Sequence, residues 1–314
     1  MKIAIIGGGS WGTALAVHLA KNKHQIKVWE FFKEQAEEME QKRFCRLLPE
    51  AKLAENIFVS WEMNKVLVDC ELVLLVVPSD KIESTMKNAK ALLKSQPIII
   101  CAKGLGSNLR LLSEVVKENY PGEIYCLYGP THAEEVCKGM FSGMVLAGGK
   151  GKEKLQKAIC SKDLKVELSE DIIGVQVCAS LKNIFAIFIG IVDGMQLGDN
   201  AKAYLMTKGL GEMKEIGLKW GAKEETFDGL AGMGDLIVTC TSQHSRNRYV
   251  GEQIGKGRKL DEILAEMKMV AEGVTTLKTA VQLENKFSLK LPLINGLYQI
   301  LFEGKDARRV LEEM

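Results

Sequence analysis

The first twelve residues constrain the fold more than any other stretch of the chain. A short apolar segment, Lys2–Ile6, is followed by Gly7-Gly8-Gly9-Ser10-Trp11-Gly12 and then by a helix-forming Thr-Ala-Leu-Ala-Val. A strand, a G-x-G-x-x-G turn and a helix in this order are typical of a βαβ unit that binds a dinucleotide. In such a unit Gly7 allows the tight turn, Gly9 lets a pyrophosphate approach the backbone, and Gly12 lets the helix pack on the strand. The alternative is a glycine-rich turn with no ligand.

The rest of the first half repeats this alternation of strand and helix. Its short, β-branched segments have the composition of strands that are buried on both faces of a parallel sheet. The alternation predicts an α/β, Rossmann-type doubly wound sheet with right-handed crossovers. The further predicted strands are Gln25–Glu30, Leu72–Val77, Pro97–Cys101, Glu123–Tyr128, Ser142–Gly148 and Leu164–Leu168. The predicted helices are Ser10–Lys21, Lys33–Gln41, Asp80–Lys94 and Lys152–Ser161.

The second half lacks short apolar segments of that quality and contains long helical patterns instead. A segment of about Ile172–Met195 is apolar nearly all round, which predicts a central buried helix. Later predicted helices are Asn200–Gly217, Leu236–Cys240, Asn247–Gly255, Leu260–Glu266, Thr275–Asn285 and Leu293–Phe302. A chain of 314 residues exceeds the size of one typical core. We therefore predict a dinucleotide-binding domain over residues 1–172 and an all-α substrate and catalytic domain over residues 173–314.

Charge balance and cysteine pattern exclude several classes of protein. The 42 Lys and Arg residues against 40 Asp and Glu residues give a net charge of +2, too balanced for the basic surface that nucleic acid binding requires. Eight cysteines are scattered singly, without metal-ligand spacing, so we expect a reduced, cytoplasmic protein with no metal site. The longest apolar run, Ile184–Val192, is far short of the roughly 20 residues that span a bilayer, and predicts no membrane span.

A carboxylate ends the second predicted strand. Glu30 there can accept hydrogen bonds from adenosine ribose hydroxyls, and it would repel the 2′-phosphate of NADP. Because no arginine lies nearby and only Lys33 could offset this repulsion, the pattern favours NAD, with NADP as the second cofactor. The alternative is that Glu30 is an exposed charge at a strand end and that Phe31 or Phe32 is a core residue.

A lysine interrupts the apolar pattern of the central helix. Lys182 stands in Ser180-Leu181-Lys182-Asn183, among Val, Ala, Ile and Phe residues. A buried ammonium is costly unless it is paired, and such a group is suited to proton transfer. The alternative is a long side chain that extends from a buried helix to water.

The stretch Gly232-Met233-Gly234-Asp235 is interpreted as a flexible segment that ends in a carboxylate at a helix N-terminus. Asp235 is then either an N-cap or the counter-ion of Lys182. Ten residues further on, Ser245-Arg246-Asn247-Arg248 concentrates guanidinium and amide donors in a predicted loop. Such a loop suits a phosphate monoester, and a solvated basic loop is the alternative.

Two further stretches follow predicted strands. Cys101-Ala102-Lys103-Gly104 and Tyr128-Gly129-Pro130-Thr131-His132-Ala133 lie where strands end. The carboxyl edge of an open α/β sheet is where ligands bind, so we expect both stretches near a ligand.

Taken in order, these motifs resemble those of the NAD(P)-dependent sn-glycerol-3-phosphate dehydrogenases. The matching stretches are GGGSWGTALA, CAKG, YGPTHAEE, SLKN, GLAGMGDLIVTC and SRNR, with a weaker match at Val270-Ala271-Glu272-Gly273. The resemblance implies that the chain reduces dihydroxyacetone phosphate to sn-glycerol 3-phosphate with NADH or NADPH. It also implies a supply of glycerol phosphate for phospholipid synthesis, and a homodimer.

The resemblance also implies residue roles. Lys182 is the implied catalytic acid/base, with Asp235 beside it. The implied substrate-binding residues are Lys103, Gly129, Thr131, Asn183, Thr239, Ser245, Arg246 and Asn247. The implied cofactor-binding residues are Gly7, Gly9, Ser10, Trp11, Gly12, Glu30, Phe31, Lys103, Ala133, Arg246, Val270 and Glu272.

One departure from the family pattern concerns the cofactor. Many bacterial members carry an arginine after the tryptophan of the second strand, where it can meet the 2′-phosphate of NADP. Here Trp29 is followed by Glu30-Phe31-Phe32, which resembles the NAD-using members. Two rivals remain at this stage: a sibling dehydrogenase of a β-hydroxy acid or a ketopantoate-like substrate, and an NAD-sensing protein without turnover.

Overall fold

The computed structural model describes residues 1–267 and 271–313. The chain divides into two compact units, Met1–Ile172 and Ile173–Met314. Strands and helices alternate in the first unit, while the described part of the second unit is helical. The predicted fold class, an α/β doubly wound sheet plus an all-α region, is confirmed.

The first unit is built on one large sheet. Its strands, together with a short separate hairpin, are β1 (Lys2–Ile6), β2 (Gln25–Trp29), β3 (Phe44–Cys45), β4 (Leu48–Lys52), β5 (Ile57–Ser60), β6 (Leu72–Leu75), β7 (Ile98–Ile100), β8 (Ile124–Tyr128), β9 (Ser142–Gly148) and β10 (Leu164–Ser169). In the described residues the sheet order is β10-β9-β8-β7-β6-β1-β2-β5. The strands from β5 through β8 in this order are parallel, and β9 joins β8 antiparallel. The strand order therefore reverses between β1 and β6, the switch point at which open α/β sheets bind ligands.

Helices cover this sheet. They are α1 (Ser10–Lys21), α2 (Lys33–Lys42), α3 (Met63–Leu67), α4 (Ile82–Ala89), α5 (Leu112–Asn119), α6 (Ala133–Lys138) and α7 (Lys152–Ile159). Strands β6, β7 and β8 are buried along their whole length. This is the burial expected for parallel strands with both faces covered, and it explains their unbroken apolar sequences.

Sequence patterns missed part of the first unit. The hairpin of β3 and β4 and the edge strand β5 were not predicted, because β4 contains Pro49 and two charged residues and β5 has four residues. The predicted helix Asp80–Lys94 is shorter in the structure: a 3₁₀ turn, Ser79–Lys81, precedes α4, which ends at Ala89.

The second unit is a set of helices. They are α8 (Ile172–Gly194), α9 (Gly198–Trp220), α10 (Glu225–Asp228), α11 (Asp235–Thr241), α12 (Arg246–Gly255), α13 (Leu260–Glu266), α14 (Glu272–Ala280), α15 (Gln282–Phe287), α16 (Pro292–Phe302) and α17 (Ala307–Glu312). A π-helical turn, Leu230–Gly234, precedes α11. The predicted helix Thr275–Asn285 is two helices in the structure, α14 and α15, with Val281 between them.

Helix α8 is the buried central helix that its composition predicts. By length and composition it could cross a membrane, yet 89% of its most apolar window is buried within the protein. Its backbone touches that of α12, because a Cβ atom on Gly251 would lie 1.8 Å from the Ile187 carbonyl oxygen and one on Gly190 would lie 2.0 Å from the Arg248 carbonyl oxygen. Glycine at these two positions therefore allows the backbones of α12 and α8 to pack in direct contact.

A buried carboxylate joins α9 to α16. Glu212 accepts hydrogen bonds from the backbone N–H groups of Leu293 (2.6 Å) and Ile294 (3.2 Å) at the start of α16. Burial raises the pKa of Glu212 from 4.5 to about 7. The native state therefore holds this proton more tightly than the unfolded chain does, so the contribution of Glu212 to stability is full below about pH 4.5 and is lost as pH rises through about 7.

We predict that Glu212→Gln removes this pH dependence. A difference of about 2.5 pKa units corresponds to up to about 3 kcal/mol, so the stability of the unsubstituted protein relative to the variant should fall by that order between pH 4.5 and 8. Denaturant unfolding over this range measures it. Glu215→Gln, at an exposed position of the same helix, should keep most of the original pH dependence, because burial raises the pKa of Glu212 more than the charge of Glu215 does. Parallel stability curves for the Glu212→Gln variant and the unsubstituted protein would contradict the assignment.

Candidate active site

The glycine-rich turn lies at the switch point of the sheet. Gly7 has a φ of 123°, and a Cβ atom there would lie 2.8 Å from the carbonyl carbon of Val76, just after β6. A Cβ atom on Gly12 would lie 1.8 Å from the Gly7 carbonyl oxygen, whereas one on Gly9 would meet no described atom within 4 Å. Two of the glycines are thus required by the turn itself, and the third leaves open space beside the backbone.

This turn fits a dinucleotide. Helix α1 begins at Ser10 without a side-chain cap or an acidic residue in its first turn, so its N-terminal N–H groups and dipole favour an anion. Among the described residues, none accepts a hydrogen bond from the buried Nε1 of Trp11. A buried donor of this kind needs a partner, and a bound polar ligand would provide one.

The residues after β2 do not fit the alternative in which Glu30 is an exposed charge and Phe31 or Phe32 is a core residue. Glu30 is buried, at 7% exposure, and its carboxylate accepts a hydrogen bond from the Phe32 N–H (3.1 Å). Burial raises the pKa of Glu30, and hydrogen bonds from the backbone of Phe32, Phe31 and Gly8 oppose that shift. Phe31 and Phe32 are exposed, Phe31 by 68%. The carboxylate therefore lies against the glycine-rich turn, and the aromatic rings are the exposed groups.

Strands β7 and β8 end at the same edge of the sheet as β1. Lys103 follows β7 and is half-buried. The Tyr128 hydroxyl, at the end of β8, donates to the Ala102 carbonyl oxygen (2.7 Å), which links the two strand ends. Beyond it, the buried Thr131 hydroxyl donates to the Gly129 carbonyl oxygen (3.1 Å), and Ala133 begins α6. These residues extend the carboxyl edge that carries the glycine-rich turn.

The second unit contains a buried ion pair. The Lys182 ammonium, at 3% exposure, pairs directly with the carboxylate of Asp235, at 0% exposure. Lys182 also donates to the Thr239 hydroxyl (2.8 Å), which in turn donates to the Asp235 carbonyl oxygen (2.5 Å). Because the hydroxyl proton is committed to that carbonyl, the Thr239 oxygen accepts from Lys182. The lysine is thus held by two groups on α11 and does not extend to water.

Local sequence explains how Asp235 reaches this position. The π-helical turn Leu230–Gly234 runs directly into α11, and Gly234 is the N-cap residue, so Asp235 is not the N-cap. The stretch interpreted as flexible is therefore an ordered turn. A Cβ atom on Gly232 would lie 2.1 Å from the Phe227 carbonyl oxygen, which explains the glycine. A carboxylate in the first turn of α11 also lies favourably in the helix dipole.

The helix predicted over Asn247–Gly255 begins at Arg246, so most of the Ser245–Arg248 stretch is helical and is not the predicted loop. Ser245 caps α12 by accepting from the Arg248 N–H (3.3 Å), and Arg246, Asn247 and Arg248 form the first turn of that helix. Serine is a common N-cap residue, so Ser245 was a signal in the sequence that a helix begins here. The basic residues are therefore held by a helix.

Two buried amides connect the start of α12 to α8. Asn247 donates to the Asn183 side-chain oxygen (2.9 Å) and accepts from the Gly273 N–H (2.9 Å). A Cβ atom on Gly273 would lie 2.5 Å from the Asn183 carbonyl oxygen. Asn183 follows Lys182 in sequence, so these contacts bring the starts of α12 and α14 close to the residue that follows the buried lysine.

The remaining predicted site residues have different places in the structure, and their roles stay predictions. Arg246 is exposed on the first turn of α12, and Glu272 is the first residue of α14. Val270 lies outside the described residues. Sequence reasoning gave Gly273 no role of its own and missed Asp193, a carboxylate near the end of α8 that binds Arg248. A charge at the end of an otherwise apolar helix was the available signal for Asp193.

One side chain beside the ion pair is a poor nucleophile. Cys240 neighbours Thr239 on α11, and burial raises its pKa to about 12, so it stays a thiol and is a poor nucleophile. In the part of the chain that the structure describes, no group of three or more His, Cys, Asp or Glu residues is placed to hold a metal ion.

Comparison with known proteins shows the family to which this chain belongs. Residues 2–154 match the model of the NAD-dependent glycerol-3-phosphate dehydrogenase N-terminus, and residues 171–312 match that of its C-terminus. The chain belongs to the NAD-dependent glycerol-3-phosphate dehydrogenase family.

Individual relatives agree with this family assignment. The chain is 41% identical over 310 residues to glycerol-3-phosphate dehydrogenase (NAD(P)+) of Thermoanaerobacter sp. (strain X514), covering 98% of this chain and 94% of the relative. The crystal structure of glycerol-3-phosphate dehydrogenase from Coxiella burnetii superposes with a TM-score of 0.96 at 34% identity, covering 99% of this chain and 98% of that one. The resemblance stated from the motifs is confirmed.

The ketopantoate reductases, which the sequence left open as a rival family, are less similar to this chain. A ketopantoate reductase from Ralstonia eutropha covers 100% of this chain and 99% of its own, but with 14% identity and a TM-score of 0.63. That likeness shows a shared fold alone.

We predict that removing one partner of the Lys182–Asp235 pair destabilises the protein strongly, whereas replacing both partners by apolar residues destabilises it much less. Asp235→Leu leaves a buried ammonium without its counter-ion and should lower the free energy of unfolding by about 3–5 kcal/mol. Lys182→Met combined with Asp235→Leu should recover most of that loss. Denaturant unfolding at pH 7 compares the variants. Glu224→Gln, which breaks the exposed pair with Lys214, should change stability by less than about 1 kcal/mol. A double variant as unstable as the sum of its singles would contradict direct pairing.

Proposed function

We propose that this chain is an sn-glycerol-3-phosphate dehydrogenase that reduces dihydroxyacetone phosphate to sn-glycerol 3-phosphate with NADH, or with NADPH as the second cofactor. The observation that carries the proposal is the buried Lys182, held by Asp235 and Thr239, in a chain whose first unit has a dinucleotide-binding turn. Family membership supports the substrate. The proposal assigns dinucleotide binding to residues 1–172 and substrate binding and proton transfer to residues 173–314.

The cofactor is assigned to the first unit. Gly7, Gly9, Ser10, Trp11 and Gly12 would hold the pyrophosphate through backbone N–H groups and the Trp11 Nε1 donor. Glu30 would accept from the ribose hydroxyls, and the exposed Phe31 ring would contact the adenine. Lys103, Ala133, Arg246, Val270 and Glu272 are proposed as further cofactor contacts. When bound, the reduced dinucleotide supplies the hydride.

Proton transfer is assigned to Lys182. As C2 of dihydroxyacetone phosphate gains a hydride, its carbonyl oxygen gains negative charge, and the Lys182 ammonium stabilises that charge and protonates the oxygen. Burial strengthens this interaction because water does not screen it. Thr239 directs the ammonium, since its own proton is committed to the Asp235 carbonyl oxygen. The Asp235 carboxylate keeps the ammonium paired in the absence of substrate.

Phosphate recognition is assigned to the start of α12. Arg246 is exposed there, and a guanidinium can form two parallel hydrogen bonds to phosphate. Asn183, Asn247 and Ser245 are proposed to line the same region. Lys103, Gly129 and Thr131 are proposed as further substrate contacts. Binding energy at the phosphate, remote from C2, would orient the reacting carbon.

The cellular role is proposed from the product. Glycerol 3-phosphate is the backbone of phospholipids, so we assign the enzyme to their synthesis, in the cytoplasm and as a homodimer. The balanced charge and scattered cysteines of the sequence agree with the location.

The central test is an assay with a lysine variant. The purified chain should oxidise NADH when dihydroxyacetone phosphate is added, and Lys182→Ala should lower kcat by about 10²–10⁴-fold, as expected for lost general acid catalysis. The Kd for NADH, measured by fluorescence titration, should stay within about twofold, because Lys182 is assigned to proton transfer. Lys214→Ala, which removes an exposed ion-paired lysine of the same unit, is the matched control. Near-normal turnover of Lys182→Ala, or activity on ketopantoate and none on dihydroxyacetone phosphate, would overturn the proposal.

Cofactor choice gives a separate prediction. We expect kcat/KM to be higher with NADH than with NADPH, because Glu30 would repel a 2′-phosphate. Glu30→Ala combined with Phe31→Arg should shift the ratio of kcat/KM values toward NADPH at least about tenfold, equivalent to about 1.4 kcal/mol, mainly through KM. Glu30→Gln, which removes only the charge, should give part of the shift. An unsubstituted enzyme that prefers NADPH would show that the assignment of Glu30 is wrong.

A further inference from the structure

Three helices of the second unit meet at one carboxylate. The Oδ2 atom of Asp193, near the C-terminal end of α8, binds both Nε (2.8 Å) and Nη2 (2.6 Å) of Arg248 of α12. The other oxygen of Asp193 binds the Lys202 ammonium of α9 (2.9 Å). Asp193 and Arg248 are both mostly buried. Because the guanidinium is a rigid planar group, two of its donors that converge on one carboxylate oxygen in partly buried surroundings fix the position of Arg248 against α8.

The contact uses the part of Arg248 that could bind a phosphate. Its Nε and Nη2 edge is occupied by Asp193, and the carboxylate of Glu252 lies 3.6 Å from Nη1. Arg246, two residues earlier, is exposed. The two arginines of the stretch therefore have different environments, and Arg248 is the one fixed to α8.

Arg248 also lies at one of the points where the backbones of α8 and α12 approach each other closely. Its carbonyl oxygen occupies the space that a side chain on Gly190 would need. The preceding residue, Asn247, is bound to Asn183 and to the Gly273 N–H. Consecutive residues of the first turn of α12, Asn247 and Arg248, are thus anchored to other helices of the unit, and Arg246 belongs to the same turn.

We infer that Asp193 and Arg248 form a positioning pair for phosphate recognition. The pair fixes the first turn of α12, so that Arg246 and Asn247 are held in the orientation that binds the substrate phosphate. Arg248 itself does not contact the phosphate. This inference rests on the proposed function, in which Arg246 binds that phosphate.

The test is a double-mutant cycle on the purified enzyme. Arg248→Lys keeps the charge but lacks the planar guanidinium whose Nε and Nη2 both bind Asp193, and Asp193→Asn keeps the shape but removes the charge. Each should raise KM for dihydroxyacetone phosphate on the order of tenfold, with kcat and the KM for NADH within about threefold. The combined variant should be no worse than the worse single variant, because both remove the same contact. All of these variants should reduce unphosphorylated dihydroxyacetone at the same slow rate as the unsubstituted enzyme does.

Two controls separate positioning from other effects. Lys202→Met removes the other cation from Asp193 and leaves Arg248 in place, so its KM for dihydroxyacetone phosphate should stay near the original value. Arg246→Ala should raise that KM more than either positioning variant does. If Arg248→Lys raises KM and Asp193→Asn does not, then Arg248 binds phosphate directly and the inference is overturned. Equal losses with the unphosphorylated ketone would overturn it as well, since they would indicate a general defect.

Hydrogen exchange makes the test independent of activity. Amide exchange in a peptide that covers residues 243–250 should be faster in Arg248→Lys and Asp193→Asn than in the unsubstituted protein or Lys202→Met. Unchanged exchange in both positioning variants would reject the pair as an anchor. If the unsubstituted protein did not reduce dihydroxyacetone phosphate, the proposed function would fail, and the exchange data would still decide whether the pair fixes the turn.

Discussion

The buried pair of Lys182 and Asp235 is the interaction on which the second unit depends. Removing two charges from water costs several kcal/mol for each ion, and their attraction offsets this cost only when geometry is good and further hydrogen bonds are made. Thr239 makes one such bond, and the π-helical turn before α11 brings Asp235 to the lysine. Because apolar residues in place of both charges should recover most of the stability that breaking the pair loses, fold stability alone does not account for the pair, which agrees with the proton transfer proposed for Lys182.

The first unit depends on a different constraint, the close approach of β1, α1 and β6 at the switch point. Gly7 and Gly12 are required because side chains there would overlap backbone atoms. The open space at Gly9 and the buried Trp11 donor are features of a turn shaped for a ligand. A folding requirement and a binding requirement therefore fall on neighbouring residues, which explains why this short motif predicts both fold and cofactor class.

Features set by local sequence could be predicted, and features set by distant contacts could not. The strand–turn–helix motif and the apolar pattern of α8 identify elements directly. Whether Asp235 was an N-cap or a counter-ion depended on a contact with another helix. Glu30 and Phe31 show the same limit, since the charged residue is buried and the aromatic one is exposed, the reverse of what polarity alone suggests. The helix predicted over Asn247–Gly255 begins one residue earlier in the structure, at Arg246, because the Ser245 side chain caps it, a contact that the predicted basic loop did not take into account.

The claim that the Lys182 ammonium is the proton donor is tested most directly by chemical rescue. Lys182→Ala leaves a space beside Asp235 that a small alkylammonium ion can enter. Turnover of this variant with NADH and dihydroxyacetone phosphate should rise with methylammonium concentration, and bulkier amines should be less effective. The unsubstituted enzyme should not respond. A folded Lys182→Ala variant that binds NADH and is rescued by no amine, or that responds to sodium chloride as strongly as to methylammonium, would contradict the account.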